Sequence, residues 1–207
     1  MQQAGSMDTN ALIQRIKRLV MLDTSVFDEV KGDAASTVPA IIVAVASTFI
    51  FGLGGWLWWA FNGPDGSISS GDLILKSFII GSVLSLILWA VWVGLTYIIL
   101  GQVFRARVDV QELVRVMGFA TVPLALGLIM FIPVFEFAVG VTVLAMFFGL
   151  TVIAVQSATD APAGKVLVAT AVGFLVWAFV LTLFVTRENI YAPGFFMFDI
   201  GPEILRY

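Results

Sequence analysis

Residue types that commonly do chemistry are scarce in this chain, and two of them are missing altogether. Its 207 residues include no histidine and no cysteine, which removes the commonest general base, the commonest metal ligand and every thiolate nucleophile. Glu136 and Asp160 lie at the ends of long apolar stretches rather than within them. We therefore expect no catalytic residue, no metal site and no cofactor, and we expect that the protein is not an enzyme.

The apolar stretches that would position any such residue are long enough to cross a bilayer. Apolar residues make up 60% of the sequence, charged residues make up 12%, and the mean hydropathy is +1.03. A helix needs roughly 20 apolar residues to span about 30 Å of hydrocarbon. The pattern predicts an all-α polytopic membrane protein with a bundle of five transmembrane helices. The predicted spans are residues 38–61, 73–100, 117–135, 137–159 and 164–186.

The basic residues predict how this bundle is oriented. Eight of the eleven lie in the three segments that these spans would leave on one side, namely Arg15, Lys17, Arg18, Lys31, Arg105, Arg107, Arg115 and Lys165. Because basic loops stay in the cytoplasm, we expect a cytoplasmic N-terminus and an outside C-terminus. Trp56, Trp58 and Trp59 would then close the first span at the outer interface, where indole rings settle.

Residues 1–37 form the predicted cytoplasmic N-terminal segment, in which residues 8–22 predict an amphipathic interfacial helix. Arg15, Lys17 and Arg18 lie on its polar face. Its apolar face consists of Leu12, Ile13, Ile16, Leu19 and Val20. We expect this helix to anchor or orient the chain at the headgroup layer, and it is also a candidate for partner binding. A short second helix over residues 23–30 would place Val26, Phe27 and Val30 on its apolar side.

Two further segments outside the predicted spans, a linker and the C-terminal tail, contain candidate interaction residues. The linker over residues 101–113 and the residues just after it place Arg105, Arg107 and Arg115 where they would face lipid phosphates or an acidic cytosolic partner. The tail, residues 188–207, is too short and too broken to span, yet it is strongly apolar. We expect its aromatic residues to pack at the outer membrane surface or to dock onto a partner. These candidates include Phe195, Phe196 and Phe198.

Small residues recur at four-residue spacing within the spans. Ser77, Gly81 and Ser85 do so on the second span. Small residues let helix backbones approach closely in lipid, so the pattern predicts either packing within the chain or a homodimer seam. Pro123 lies inside the third span and predicts a kink, with Thr121 placed to satisfy the freed carbonyls.

The third span also contains a short motif that resembles one found in a known family of membrane proteins. The run from Gly118 through Phe119 to Pro123 resembles the glycine–aromatic–small–x–x–proline element that opens the third span of Yip-type, Rab-GTPase-interacting membrane proteins. The resemblance implies a five-helix bundle, and it makes Gly118 and Pro123 structural determinants. It also implies a role without catalysis, since eukaryotic members act in vesicle traffic by binding prenylated Rab GTPases. This chain lacks the family's Asp-Leu-Tyr-Gly-Pro element and looks more like the compact prokaryotic members of a cell membrane.

Three functions follow from these observations. The first is a non-enzymatic membrane scaffold or adaptor that organises the membrane or recruits partners. The second is an accessory structural subunit of a larger membrane complex, and the third is a small transporter of neutral or lipid-like solutes that acts as a dimer. The expected partners are membrane lipids and other membrane proteins or further copies of the chain. Nucleic acid is not expected, because no basic face carries interleaved aromatic residues.

Overall fold

The N-terminal segment folds as two short helices that lead into the first span. The computed structural model of the protein describes residues 9–62, 71, 74–183, 185–186 and 189–190. Helix α1 covers Thr9–Val20 and helix α2 covers Val26–Gly32. A single 3-10 turn, Ala34–Ser36, then joins helix α3, Thr37–Asn62. The short second helix predicted from the sequence is confirmed, and its apolar residues Val26, Phe27 and Val30 are fully buried.

The remaining four spans follow in order. Helix α4, Gly81–Ile98, is flanked by the π-helical turns Ile74–Ile80 and Ile99–Val103. Helix α5, Val110–Phe119, continues as the 3-10 segment Val122–Phe131, and helices α6, Glu136–Ser157, and α7, Ala163–Thr182, complete the bundle. Within the described residues, five helical stretches are long and apolar enough to cross a membrane, which confirms the predicted fold class. Two-residue strands β1, Val185–Thr186, and β2, Asn189–Ile190, pair antiparallel after α7.

The third span begins earlier and ends earlier than residues 117–135. It starts at Val110 because Asp109 caps the helix, accepting hydrogen bonds from the backbone N–H groups of Gln111 (2.8 Å) and Glu112 (3.0 Å). It stops at Phe131, and the turn through residues 132–135 includes Val134 at a positive φ of 78°. Glu136, expected to be the residue that separates the two spans, is instead the first residue of α6.

The third span lies at the centre of the bundle. Its most apolar stretch is 72% buried, whereas the corresponding value for the other four spans is between 28% and 50%. Helix α3 crosses the 3-10 segment at two glycines, where a Cβ on Gly54 would collide with the carbonyl of Gly127. A Cβ on Gly127 would in turn collide with the ring of Phe51. The crossing therefore depends on backbones that touch without side chains between them.

An aromatic cluster joins α4, α6 and α7. The rings of Trp92 and Phe147 lie 5.3 Å apart edge to face, and Trp177 lies 5.7 Å from Phe147. The indole Nε1 of Trp92 donates to the carbonyl of Thr170 (3.0 Å), and that of Trp177 donates to the carbonyl of Ser85 (3.2 Å). Buried indole groups that find backbone acceptors fix the three helices in one register.

Candidate interaction surface at the basic end of the bundle

One end of the bundle gathers α1, α2, the linker through residues 104–109 and the loop through residues 158–162. We call this the basic end. Lys165, at the start of α7, lies 5.5 Å above the ring of Phe104 in that linker. Contacts between these segments place the same eight lysines and arginines, which belong to α1, α2, the linker, α5 and the start of α7, at one end of the molecule.

Arg115 joins α5 to the N-terminal segment. Its guanidinium Nε and Nη2 donate to the carbonyl of Lys31 at the end of α2 (2.9 and 2.5 Å), and Nη1 donates to the hydroxyl of Thr37 (3.3 Å). The residue is only 5% exposed. The expectation that Arg115 faces lipid phosphates or a partner is therefore wrong. A helix C-terminus offers unpaired carbonyls, and the planar guanidinium satisfies this one with two donors.

Lys31 extends the same connection to the far side of the bundle. Its ammonium donates to the carbonyl of Ser157 at the end of α6 (2.8 Å) and to the carboxylate of Asp28 (2.7 Å). Helix α2 is thus held at its last turn by α5 through Arg115 and by α6 through Lys31. Each contact is charge-assisted, and such hydrogen bonds are stronger than neutral ones.

The linker and the loop before α7 are also joined. The backbone N–H of Arg107 donates to the carboxylate of Asp160 (2.8 Å), and the hydroxyl of Thr159 donates to the carbonyl of Arg107 (2.8 Å). Val108 and Thr159 form an isolated antiparallel bridge. The side chains of Arg105 and Arg107 stay exposed, so the expectation of an outward-facing charge remains open for these two arginines.

These connections enclose a polar recess of about 600 Å³. Charged residues of both signs line it, namely Lys31, Arg107, Asp109, Glu112 and Asp160. Among the described residues, no group of three or more acidic, histidine or cysteine side chains is arranged to hold a metal ion. The recess therefore presents charges of both signs to polar or charged groups.

Helix α1 is attached to the basic end through its arginines. Arg18 pairs with Asp23 (2.7 Å) and Glu29 (2.6 Å), while Arg15 pairs with Asp33 (3.3 Å) and donates to Ser36 (2.7 Å). Two of the three basic residues expected to face headgroups or a partner are thus engaged within the chain. Lys17 is exposed, and it forms no ion pair with any described residue.

The carboxylates in these pairs are stabilised in their charged form. A hydrogen bond from the Ser25 hydroxyl, followed by one from Arg18, lowers the pKa of Asp23 to about 2. The Ser36 hydroxyl is the main cause of the lowered pKa of Asp33, with smaller contributions from the N–H of Ala35 and from Arg15. Both carboxylates are consequently ionised at neutral pH and able to hold α1 in place.

The Gly118–Pro123 element lies directly beneath this end. A Cβ on Gly118 would lie 2.7 Å from the carbonyl oxygen of Ala40, so α5 and α3 touch through their backbones there. The chain leaves α-helical geometry after Phe119, and Pro123 is buried in the first turn of the 3-10 segment. The hydroxyl of Thr121 donates to the carbonyl of Gly118 (2.7 Å), which also accepts the backbone N–H of Thr121 (3.3 Å).

The other sequence-predicted residues lie in the spans, and the structure does not bring them to the basic end. Ser77, Gly81 and Ser85 are all buried within one chain. This burial favours packing within the chain over a homodimer seam.

The aromatic candidates have mixed outcomes. Trp59 stacks edge to face on Trp58 at 5.3 Å, whereas Trp56 has a buried Nε1 with no acceptor among the described residues. Phe195, Phe196 and Phe198 lie outside the described residues. Sequence reasoning missed Arg115 and Lys31 as connectors, because their acceptors are carbonyls that no sequence pattern marks.

Comparison with known proteins identifies the family of this chain. No curated protein and no solved structure gave a significant match to the chain. The family model described as the Yip1 domain matches residues 20–185, from the last residue of α1 to the first residue of β1. This range includes the five spans, the Gly118–Pro123 element and most of the basic end, and it makes the chain a member of the Yip1 domain family of multi-pass membrane proteins.

Proposed function

We propose that this protein is a non-enzymatic membrane scaffold or adaptor whose basic end forms a docking platform for a partner protein. The observation that carries the proposal is the set of polar connections from Arg115, Lys31, Asp160 and Thr159. They fix four segments of the chain into one surface at the basic end of the bundle. A surface that is already ordered loses less entropy when a partner binds.

The chemistry of the platform suggests what kind of partner fits. Arg107, Asp109 and Asp160 line the recess and are exposed, so charges of both signs are available. A protein segment with its own mixed charges would complement such a surface, and charge complementarity mainly sets specificity and association rate. The partner is therefore expected to be a polar polypeptide segment rather than a small apolar solute.

The proposed location follows from the same charges. With eight basic residues at one end, the positive-inside rule puts the basic end and the N-terminus in the cytoplasm and the tail outside. We propose a prokaryotic cell membrane, as the resemblance to the compact prokaryotic members of the family implies. The platform would then meet cytosolic proteins or the cytosolic parts of membrane proteins.

The absence of cysteine allows a direct test of both orientation and docking. A membrane-impermeant maleimide would be used to label single cysteines in place of Lys165 and Phe135, which lie at opposite ends of the bundle. We expect labelling of Lys165→Cys only when the cytosolic side is opened, and labelling of Phe135→Cys in intact cells. The reverse pattern would overturn the orientation.

Docking is tested with a thiol-linked photo-crosslinker in native membranes. Arg107→Cys should capture a defined protein that mass spectrometry identifies in repeated preparations. The matched control is Ala90→Cys on the exposed side of α4, which should give no such product. If both positions yield the same products, or neither yields a defined partner, the platform has no docking role.

One observation favours the accessory-subunit alternative. The span Ile74–Val103 is the least buried of the five, with 28% of its most apolar stretch covered by the rest of the chain. Such a face is open to a neighbouring membrane protein as well as to lipid. A strong product from Ala90→Cys with none from Arg107→Cys would favour this alternative over the adaptor.

A further inference from the structure

An apolar groove lies between α1 and the bundle, and none of the functions considered so far uses it. It has a volume of about 250 Å³, and we call it the α1 groove. Ile16 and Val20 of α1 form one side, while Ile42 and Ile50 of α3 and Leu126 of the 3-10 segment form the other. Ser47 is the single polar residue among the described residues that line it. Water gains few hydrogen bonds in such a space, so hydrocarbon is the favoured content.

The groove is open to the bilayer rather than sealed. Val20, Ile42 and Leu126 at its edges are 60%, 40% and 41% exposed. Ile41 and Val45 continue the exposed apolar surface along α3. Because α3 is long and apolar enough to cross the membrane, this edge is continuous with the lipid-facing surface of the bundle. A hydrocarbon chain can therefore enter sideways from the membrane.

The groove extends along helix α3 for part of the length of a lipid chain. Its lining on α3 runs from Ile42 to Ile50, and eight residues at 1.5 Å each give about 12 Å along the helix axis. It starts a little over one turn from Thr37, where α3 begins. The groove thus extends along a membrane-crossing helix, as acyl chains do, and α1 lines it from Leu12 to Val20.

Lys17 supplies a charge at the rim of this groove. Successive helical residues are about 100° apart, so Lys17 lies about 60° from Val20 and about 40° from Ile13, both of which are exposed. Arg15 and Arg18 are paired with carboxylates of the N-terminal segment, but Lys17 is exposed with no ion pair among the described residues. An unneutralised lysine near the bilayer attracts lipid phosphate.

We propose that the α1 groove binds one acyl chain of an anionic glycerophospholipid, with Lys17 holding the phosphate of its headgroup. The site would make α1 a lipid-dependent part of the fold and not merely a topological signal. It is independent of the partner platform, since neither Lys17 nor any residue that lines the groove lines the polar recess.

The test uses the full chain in nanodiscs of phosphatidylcholine that contain phosphatidylglycerol with a diazirine in one acyl chain. After irradiation, mass spectrometry maps the modified peptides. We expect adducts to concentrate in residues 42–50 and 122–126 and to be scarce on the exposed face of α4. Adducts spread evenly over all lipid-facing helices would overturn the proposal without any variant being needed.

Two variants sharpen the result. Ala46→Phe fills the groove at an exposed position, and Ala90→Phe adds the same volume to the exposed side of α4. Groove adducts should be lost in the first variant and retained in the second. Equal adduct yields in the two variants, or a cross-linked polypeptide in place of lipid when Ala46→Cys is tested in native membranes, would overturn the proposal.

The headgroup is tested separately with Lys17→Gln. One basic residue near an anionic surface contributes ~1 kcal/mol, so the preference for phosphatidylglycerol over phosphatidylcholine should fall about fivefold. Arg18→Gln is the matched control, and it should leave this preference unchanged because Arg18 faces Asp23 and Glu29. If Lys17→Gln has no effect on the preference, the phosphate contact is wrong.

Discussion

At the basic end, four segments of the chain are joined by charged hydrogen bonds, whereas in the interior the spans meet through glycines and aromatic rings. Arg115 and Lys31 reach carbonyls and carboxylates at distances of 2.5 to 2.9 Å. In the interior, the buried hydroxyls of Ser77, Ser82 and Thr170 have no hydrogen-bond partner among the described residues. The two regions are therefore sensitive to different kinds of substitution.

The difference reflects the two solvents that the chain meets. Within lipid, apolar side chains gain little by leaving one apolar surroundings for another, so close approach of backbones and dispersion contacts hold the helices together. At the water boundary, helix ends expose unpaired carbonyls and N–H groups that charged side chains can satisfy. Added volume should damage the interior, and lost charge should damage the basic end.

The largest effect is expected from added volume at the backbone crossing of α3 and α5. Gly118→Ala would put a Cβ 2.7 Å from the carbonyl oxygen of Ala40, which cannot move as a side chain can. We expect the free energy of unfolding to fall by about 3 kcal/mol, at the upper end of overpacking costs. The measurement is denaturant unfolding in detergent micelles.

Gly149→Ala is the matched control for that change. Its added Cβ would have no neighbour within 4 Å, so α6 should be unaffected or stabilised by up to ~1 kcal/mol. Equal stability losses at the two glycines would show that the crossing at Gly118 is not the sensitive feature of the interior.

The next largest effect is expected from removing the charge of Arg115. Arg115→Met keeps most of the side-chain length but leaves the carbonyl of Lys31 without its two donors. We expect a loss of about 2 kcal/mol, as is usual for hydrogen bonds to charged groups. Hydrogen exchange should also speed up in α2, because its last turn is no longer held by α5.

Arg107→Met provides the comparison at the same end of the bundle. The contacts of Arg107 to Asp160 and Thr159 use its backbone, so they survive the substitution. Exchange in α2 should stay at its original rate. If Arg107→Met loosened α2 as much as Arg115→Met, general charge rather than the specific connection would hold the basic end together.

A smaller effect is expected from the loss of a hydrogen bond in the aromatic cluster, where buried indole groups donate to backbone carbonyls. Trp92→Phe removes the Nε1 donor to the carbonyl of Thr170 and should cost about 1 kcal/mol beyond the loss of ring area. Trp56→Phe removes a donor that has no acceptor among the described residues and should cost less. Thermal unfolding of the two variants measures this difference in stability. A larger loss of stability in Trp56→Phe would contradict the prediction.

The smallest effect is the pH dependence of α1. A depressed folded-state pKa means that the ionised Asp23 and Asp33 stabilise the N-terminal segment. This contribution is complete above the unfolded pKa of about 4 and is lost as the pH falls toward about 2 for Asp23. Amide exchange in α1, corrected for the intrinsic rate, should accelerate over that interval. Asp23→Asn should weaken this acceleration. An unchanged pH dependence of exchange in that variant would show that Asp23 does not contribute to it.

Much of the fold could be predicted from the sequence, because hydrophobic length and helical spacing are local properties. The five spans, the amphipathic α1 and the buried side of α2 all follow from them. The role of Arg115 could not be predicted in this way. Its acceptor, the carbonyl of Lys31, lies 84 positions earlier in the chain and becomes available only because α2 ends there. The recess could not be predicted either, since three separate segments enclose it.

The 3-10 segment Val122–Phe131 has a consequence for how the protein is made. Ten residues in this geometry form poorer backbone hydrogen bonds than an α-helix, and runs of that length are uncommon. Lipid does not tolerate weakly satisfied backbone unless other parts of the protein surround it. We therefore expect this segment to reach its final geometry only once the neighbouring spans surround it, so the central span should be the last to settle although it is the third in the chain.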